Sequence, residues 1–443
     1  MKANSRLIGG YTVLSILGFL TIALFTYLVM TKKMIAFTGI IFVPIIFALI
    51  GGFGAKLPGM MEDGILLVVK TAVLLLFAIL YFGIMMDSGL FDPISNKILK
   101  VAKGDPVKIA MGTAVLALLG ALDGDGTTTY MIVCSAMLPI YKRLGMNPLV
   151  LATVSILSLG MVAGTTPWGG SATRAISILG LEASDYFVPY LPTLIGGAIW
   201  ILFTAYILGR KERKRIGDVL IEQVAAAEMA VAVEDTPIVN KKLLWFNFLL
   251  TVALMVTLVL DVIPLFILFI IAFSIALIVN YPNLEQQKKV MKEHASNAIP
   301  VVSLVLAAGI FTGILQGTKM VDHMAGDLVS VIPDAFGPYF NVIIAIIGIP
   351  LSFFMSNDAF FFGAVPVLAK AAAQYGIHPI EVGRAAVIGQ SIHLIGPTSA
   401  PLWVLLELIK SDLGKLQRFT IGWILLSALV MIVLAWITGA ISV

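Results

Sequence analysis

Two short acidic clusters stand out in a chain otherwise poor in charge. The first lies in Leu122-Asp-Gly-Asp-Gly-Thr-Thr-Thr129, where Asp123 and Asp125 are followed by three hydroxyl residues. The second is Ser356-Asn357-Asp358. Carboxylate, hydroxyl and amide oxygens are the ligands that a hard cation such as Mg²⁺ or Ca²⁺ takes. Two further segments mix proline, glycine and hydroxyl residues. One is Gly164-Thr-Thr-Pro-Trp-Gly-Gly-Ser171, with Arg174 just beyond it; the other is His393-Leu-Ile-Gly-Pro-Thr-Ser-Ala-Pro401. Proline removes a backbone donor and glycine loosens the chain, so neither segment can be continuous helix. The N–H groups freed at such a break, like any helix N-terminus, suit an anion. Arg174 can grip a carboxylate through a two-pronged fork, or neutralise Asp123 or Asp125 instead. His393 has the titration range of a proton relay, and Glu407 and Asp87 are further candidate proton carriers. The anion-binding candidates are therefore Asp125, Gly126 and Thr127 at the first cluster and Thr165, Thr166, Ser171 and Arg174 at the first break. Ser356 and Asn357 join them at the second cluster, and Gly396, Pro397, Thr398 and Ser399 at the second break. The candidate metal ligands are Asp123, Asp125 and Asp358.

Composition says where these residues sit. Of 443 residues, 59% are apolar and 12% charged, against about 45–50% and about 25% in an ordinary soluble chain. Mean hydropathy is +1.02. So few polar side chains cannot cover a soluble protein of this size, and the bilayer must solvate most of the chain. Soluble hydrolases, nucleic-acid binders and disulfide scaffolds are excluded, and the single Cys134 has no partner for a disulfide or a zinc site. A charge at bilayer depth costs about 2.5–3.5 kcal/mol even on insertion scales, so a carboxylate retained there is a functional candidate. Tips reaching the interface, where a carboxylate is cheap, are the plainer alternative.

The elements that must carry them are all-α. Crossing a membrane takes about 20 apolar residues. Ten such runs are expected: 8–30, 36–53, 64–86, 149–180, 187–208, 243–260, 263–281, 298–317, 380–409 and 419–441. The first is too long for a signal peptide and lacks a cleavage site, so it reads as a retained helix. Two more apolar stretches, 109–140 and 338–374, are interrupted by the acidic clusters and read as re-entrant helical hairpins, tolerated at that depth only where they line a cavity. The basic residues then divide between two sides. One side receives 21 of the 29, from Lys32 and Lys33 through the Arg210–Lys242 group to Arg418; the other receives Lys2, Arg6, Lys56, Lys319 and Lys370. That bias makes the first side cytoplasmic, with both termini outside and the 209–242 linker inside. Lys70 is expected to snorkel and Arg384 to pair with Glu381.

The halves match one another at an offset near 231 residues. Phe82-Gly-Ile84 answers Thr312-Gly-Ile314, Asp92 answers Asp322, Gly145-Met-Asn-Pro148 answers Gly376-Ile-His-Pro379, and Gly164-Thr-Thr166 answers Gly396-Pro-Thr398. Each half, 1–208 and 243–443, holds five crossings and one hairpin. Five is odd, so the second half is inverted relative to the first, an architecture of secondary transporters with broken helices at the midplane. Amphipathic stretches at 96–103 and 319–327 read as helices along the membrane surface.

The hairpin Leu122–Thr129, the break Gly164-Thr-Thr-Pro-Trp-Gly-Gly-Ser-Ala-Thr-Arg174, the tip Ser356-Asn-Asp-Ala359 and the break Gly396-Pro-Thr-Ser-Ala-Pro401 resemble those of the citrate–divalent metal–proton symporters. The resemblance spans essentially the whole chain. It implies a plasma-membrane carrier that imports citrate as a complex with Mg²⁺ or Ca²⁺ together with protons, by an elevator movement within a homodimer. The broader group includes sodium-coupled dicarboxylate carriers, whose hairpin tips carry Ser-Asn-Thr. Here Asp123, Asp125 and Asp358 stand at the tips, a departure that argues against sodium coupling and suits an anion that arrives with its own metal. The alternative is a sodium- or proton-coupled carrier of free di- or tricarboxylates. An intramembrane aspartyl protease would carry Gly-x-Gly-Asp, but Leu122 precedes Asp123 and the repeat would go unexplained.

Overall fold

The computed structural model describes residues 2–90, 93, 104–217, 241–260, 262–396 and 399–442, with the backbone alone for residues 2–12 and Asp334. The stretch 96–103, expected to lie along the membrane surface, falls outside the described residues, as do Asp92, linker residues 218–240, Pro397 and Thr398. The first half of the chain gives α1 (Lys2–Met30), α2 (Ala36–Ile50), α3 (Leu57–Asp87), α4 (Pro106–Gly120), α5 (Gly126–Arg143), α6 (Pro148–Thr165), α7 (Gly170–Leu179) and α8 (Leu191–Ile216). The second gives α9 (Lys241–Leu260), α10 (Leu265–Asn280), α11 (Leu284–Gly317), α12 (Met320–Val331), α13 (Phe340–Phe354), α14 (Val365–Gln374), α15 (Pro379–Ile388), α16 (Ala400–Ile409) and α17 (Leu413–Ile437). Among the described residues eight helices are long and apolar enough to cross a membrane, or nine if the bent pair of 379–395 and 400–409 counts as one. The chain is a multi-pass membrane protein.

Two departures from the sequence-based spans have clear physical causes. The runs at 36–53 and 263–281 form helices of 15 and 16 residues, short of a full crossing when upright. The run at 298–317 belongs to a 34-residue helix that begins at Leu284, capped by Asn283, whose side chain accepts from Glu285 N at 2.8 Å. A helix does not stop where its residues turn polar. It stops where its N–H groups find a cap.

Local capping also fixes the segments that matter for function. Asp105 and Asn147 cap α4 and α6, each with proline at the first helical position. Between α4 and α5 the chain turns through Ala121–Asp123 and Gly124, whose φ of +80° is open to glycine without strain. Asp125 then caps α5 by accepting from Thr128 N at 2.6 Å.

The helices sort into a wall and a block. In the wall, α3 packs along α11, with α10 beside α3 and α2 beside α11. The α3–α11 crossing is built on glycine: a Cβ on Gly64 would collide with Gly309 and Gly313 backbone, and one on Gly313 with Met60 backbone. Such close approach is the usual way helices associate in lipid, where no hydrophobic effect draws them together. In the block, α4 packs on α8 and α6, α13 on α15 and the 389–395 turn, and α17 on α6 and α8. Hydroxyl pairs such as Thr153–Thr420 (2.8 Å) and the Asn247–Asn280 amide pair (2.8 and 2.9 Å) satisfy polar groups between helices.

Arg384 corrects one expectation. It is 5% exposed and donates to three backbone carbonyls, those of Asp185, Tyr186 and Ala440, rather than pairing with Glu381. Glu381 instead accepts from Asn341 Nδ2 and Ser442 N. Lys70 forms an ion pair with Glu182.

Candidate functional site

The two acidic turns and the two breaks converge on one cavity of about 940 Å³, within the range of about 300–1,000 Å³ usual for ligand sites. Its lining includes Asp123, Asp125, Gly126 and Thr127 from the α4–α5 turn and Ser171 and Arg174 from α7. Ser356, Asn357 and Asp358 line it from the turn after α13, His393 and Ser399 from the second break, and Asp87 from the end of α3. Glu407 is exposed and lies off this lining. Thr165 and Thr166 are buried and turn their hydroxyls back onto Met161 O and Val162 O (2.8 and 2.9 Å). Gly396 packs its Cα against Phe353 O, where a Cβ would stand 2.9 Å away.

The charges pair across the chain. Arg174 Nε donates to Asp358 Oδ1 at 2.7 Å, and Arg174 Nη1 donates to Gly170 O at 2.7 Å. The two side chains are 19% and 17% exposed. The partner of Arg174 is thus Asp358, and neither Asp123 nor Asp125, the two considered from the sequence. Those two aspartates are occupied locally: Asp123 Oδ1 accepts from Asp125 N at 2.9 Å, and Asp125 Oδ2 from Thr128 N. Each keeps a second oxygen that makes no hydrogen bond among the described residues. Because Asp125 already sits on the positive end of α5, that helix terminus is not vacant for another anion. The residues that precede α7 and α16, Gly169 and Ser399, make no side-chain cap, so among the described residues the two break helices present N-termini without one beside the cavity.

Two buried polar atoms in the lining lack a hydrogen-bond partner among the described residues: Asn357 Oδ1 and Ser399 Oγ. Ser399 is 2% exposed. Leaving such atoms unsatisfied costs about 1–3 kcal/mol each, which a polar ligand would recover. His393 Nδ1 lies 3.1 Å from Ser352 O. A carbonyl only accepts, so Nδ1 carries a proton in this contact. Among the described residues no three His, Cys, Asp or Glu side chains gather as they would around a resident metal ion.

Three residues that sequence reasoning passed over help to form the site. Trp168 Nε1 donates to Leu122 O at 2.7 Å, tying the first break to the first turn, while its ring packs on Phe82, Phe187 and Phe269. Gln390, 2% exposed, donates to Ser352 Oγ at 2.9 Å and lines the cavity. His294 pairs with Asp87 at 2.8 Å. Trp168 lay inside a segment already singled out, and its one polar atom was the available signal. Gln390 was legible as an amide inside an apolar run. His294 was hidden by the assumption that its helix began later.

The family model described as "Citrate transporter" matches residues 9–389. The chain belongs to the citrate transporter family. Three Bacillus subtilis (strain 168) relatives bear this out. An "Uncharacterized transporter YraO" is 52% identical over 97% of this chain and 100% of its own length. A "Citrate transporter" is 51% identical over 97% and 100%, and a "Mg(2+)/citrate complex secondary transporter" 47% over 97% and 99%. The fold of this citrate transporter family member is shared with the Alcanivorax borkumensis YdaH transporter, whose crystal structure is described as having an unusual topology. The TM-score is 0.58 at 14% identity, over 87% of this chain and 90% of that one. The family is one of transporters, not enzymes.

Proposed function

We propose that this chain is a secondary active transporter that imports citrate as a complex with Mg²⁺ or Ca²⁺, coupled to protons. The observation that carries this reading is the Arg174–Asp358 pair in the cavity, flanked by the unpartnered Asn357 Oδ1 and Ser399 Oγ. A metal–citrate complex can exchange with that pair. Its free carboxylate takes the guanidinium fork, and its metal takes the released Asp358 carboxylate. Asp123 and Asp125 offer further oxygens to the metal, and Asn357, Ser399 and Ser171 bond the remaining citrate oxygens. Citrate supplies most of the metal's ligands itself, so the protein needs no complete cage. A bare tricarboxylate would instead face four cavity carboxylates, Asp87, Asp123, Asp125 and Asp358. The names of two relatives support citrate as the anion, and one of them supports Mg²⁺ as its metal.

Proton coupling falls to His393 and Asp87, which line the cavity, rather than to Glu407, which does not. The halves 1–208 and 243–443 act as inverted repeats, each contributing one hairpin and one broken helix, and exchange the site between membrane faces by an elevator movement within a homodimer. The cavity reaches Asp87 at the end of α3 and residues 294–301 of α11, on the side of the membrane that the basic-residue bias assigns to the cytoplasm. The form described is then inward-facing, with both termini outside the plasma membrane. Calorimetric titration of purified protein with citrate tests the substrate: binding is expected with Mg²⁺ or Ca²⁺ present, and equal binding in excess chelator would overturn the complex as substrate.

A further inference from the structure

The α3–α11 wall carries a titratable pair that neither acidic turn nor break supplies. His294 Nε2 lies 2.8 Å from Asp87 Oδ2, with side chains 15% and 42% exposed. The Tyr281 hydroxyl reaches the same oxygen at 3.5 Å. The Nδ1 edge of the ring lies over Gly83, where a Cβ would come within 2.6 Å. Gly83, Asp87 and His294 all line the cavity.

The internal match gives this pair its meaning. The register that sets Gly83 against Gly313 sets Gly64 against His294 and Asp87 against Gly317. At one end of the crossing Gly64 meets Gly309 and Gly313 backbone to backbone, which leaves no room for a side chain. At the matching end an imidazole replaces the glycine, and a carboxylate stands where Gly317 stands in the other half. Glycine contacts already hold α3 and α11 together, so the pair is not needed as an interhelical tie. It faces a cavity instead.

We propose that His294, oriented by Asp87, is a binding residue on this wall that contacts the anionic metal–citrate complex and whose charge sets the affinity. The proposal rests on the metal–citrate reading above. The groups facing His294 are Asp87 from α3 and Tyr281 from the segment after α10, while α2 contributes no ionisable residue. Across the cavity stand Asp123, Asp125, His393 and the Arg174–Asp358 pair. On α11 itself Glu293 is engaged by Lys289 at 3.8 Å. Four carboxylates, Asp87, Asp123, Asp125 and Asp358, thus share the cavity lining with the single guanidinium of Arg174. An imidazolium at His294 offsets Asp87 and offers the anion a positive partner, whereas the neutral ring leaves Asp87 to repel it.

The test is calorimetric affinity for Mg²⁺–citrate, measured on purified full-length protein in nanodiscs at about pH 6 and about pH 8. Wild type is compared with His294→Gln and with Gly83→Ala, which pushes the ring off its seat. Citrate's own protonation is common to all three proteins, so the ratio between them is the readout. At the lower pH both variants are expected to bind roughly tenfold more weakly than wild type, and at the higher pH the three converge. A ratio that is the same at both pH values, whether near one or large, would overturn the assignment and leave the substrate reading intact. No binding by wild type at either pH would overturn the substrate reading and this assignment with it.

Discussion

Arg174 and Asp358, 184 residues apart in the chain, meet at 2.7 Å and join the first broken helix to the second acidic turn. Each side chain is less than one-fifth exposed. Coulomb attraction is much stronger there than in water, and the cost of leaving either charge alone rises with it. Opening of the pair is therefore favoured by a ligand that satisfies both groups together. A metal bound to a carboxylate anion does that, since it brings a positive and a negative partner in one molecule.

Arg174→Ala tests the anion half of that exchange. Losing a partly buried charge-assisted contact costs about 2–5 kcal/mol, so citrate affinity should fall at least about thirtyfold in calorimetry. Retained binding with lost transport would make Arg174 a counter-charge for Asp358 and no more.

Asp125→Asn tests the metal half. Asparagine caps a helix about as well as aspartate, so α5 should keep its first turn and the fold should survive. Citrate binding should then need more Mg²⁺ or Ca²⁺ than wild type does, or stop. An unaltered metal requirement would remove Asp125 from the metal's ligands.

How much of this was legible beforehand depends on what each feature rests on. The acidic turns and the breaks were visible because polar, proline and glycine residues interrupt apolar runs, and those local rules place α4–α5 and α6–α7 where the structure has them. The pairing of Arg174 with Asp358 was not visible, because it depends on how two distant segments pack, and the nearer aspartates looked equally able. His294 was missed because Lys288, Lys289 and Lys292 made the start of α11 look like a loop. Thr165 and Thr166 were offered as ligands on composition, yet a helical threonine readily bonds the carbonyl one turn back, and both do.

Trp168→Phe keeps most of the ring packing on Phe82, Phe187 and Phe269 and removes only the donor to Leu122 O. The loss of that bond should cost about 1 kcal/mol and loosen the first turn. Thermal unfolding should show a small fall in midpoint, alongside a larger fall in uptake rate than in citrate affinity. Equal uptake rates would mean that the Trp168–Leu122 contact serves stability only.

His393→Gln leaves an amide able to donate to Ser352 O while removing the group that titrates. Uptake measured across pH should lose its dependence on the proton gradient while metal–citrate binding survives. A wild-type pH profile would assign proton carriage elsewhere, with Asp87 the next residue to replace.

The central claim is that citrate and metal travel as one particle. Dual-label uptake into proteoliposomes under an inward proton gradient measures this directly, with labelled citrate and labelled divalent ion followed together. Equimolar entry of the two labels, and no citrate uptake in excess chelator, are the expected results. Citrate entry that continues undiminished without metal would contradict it.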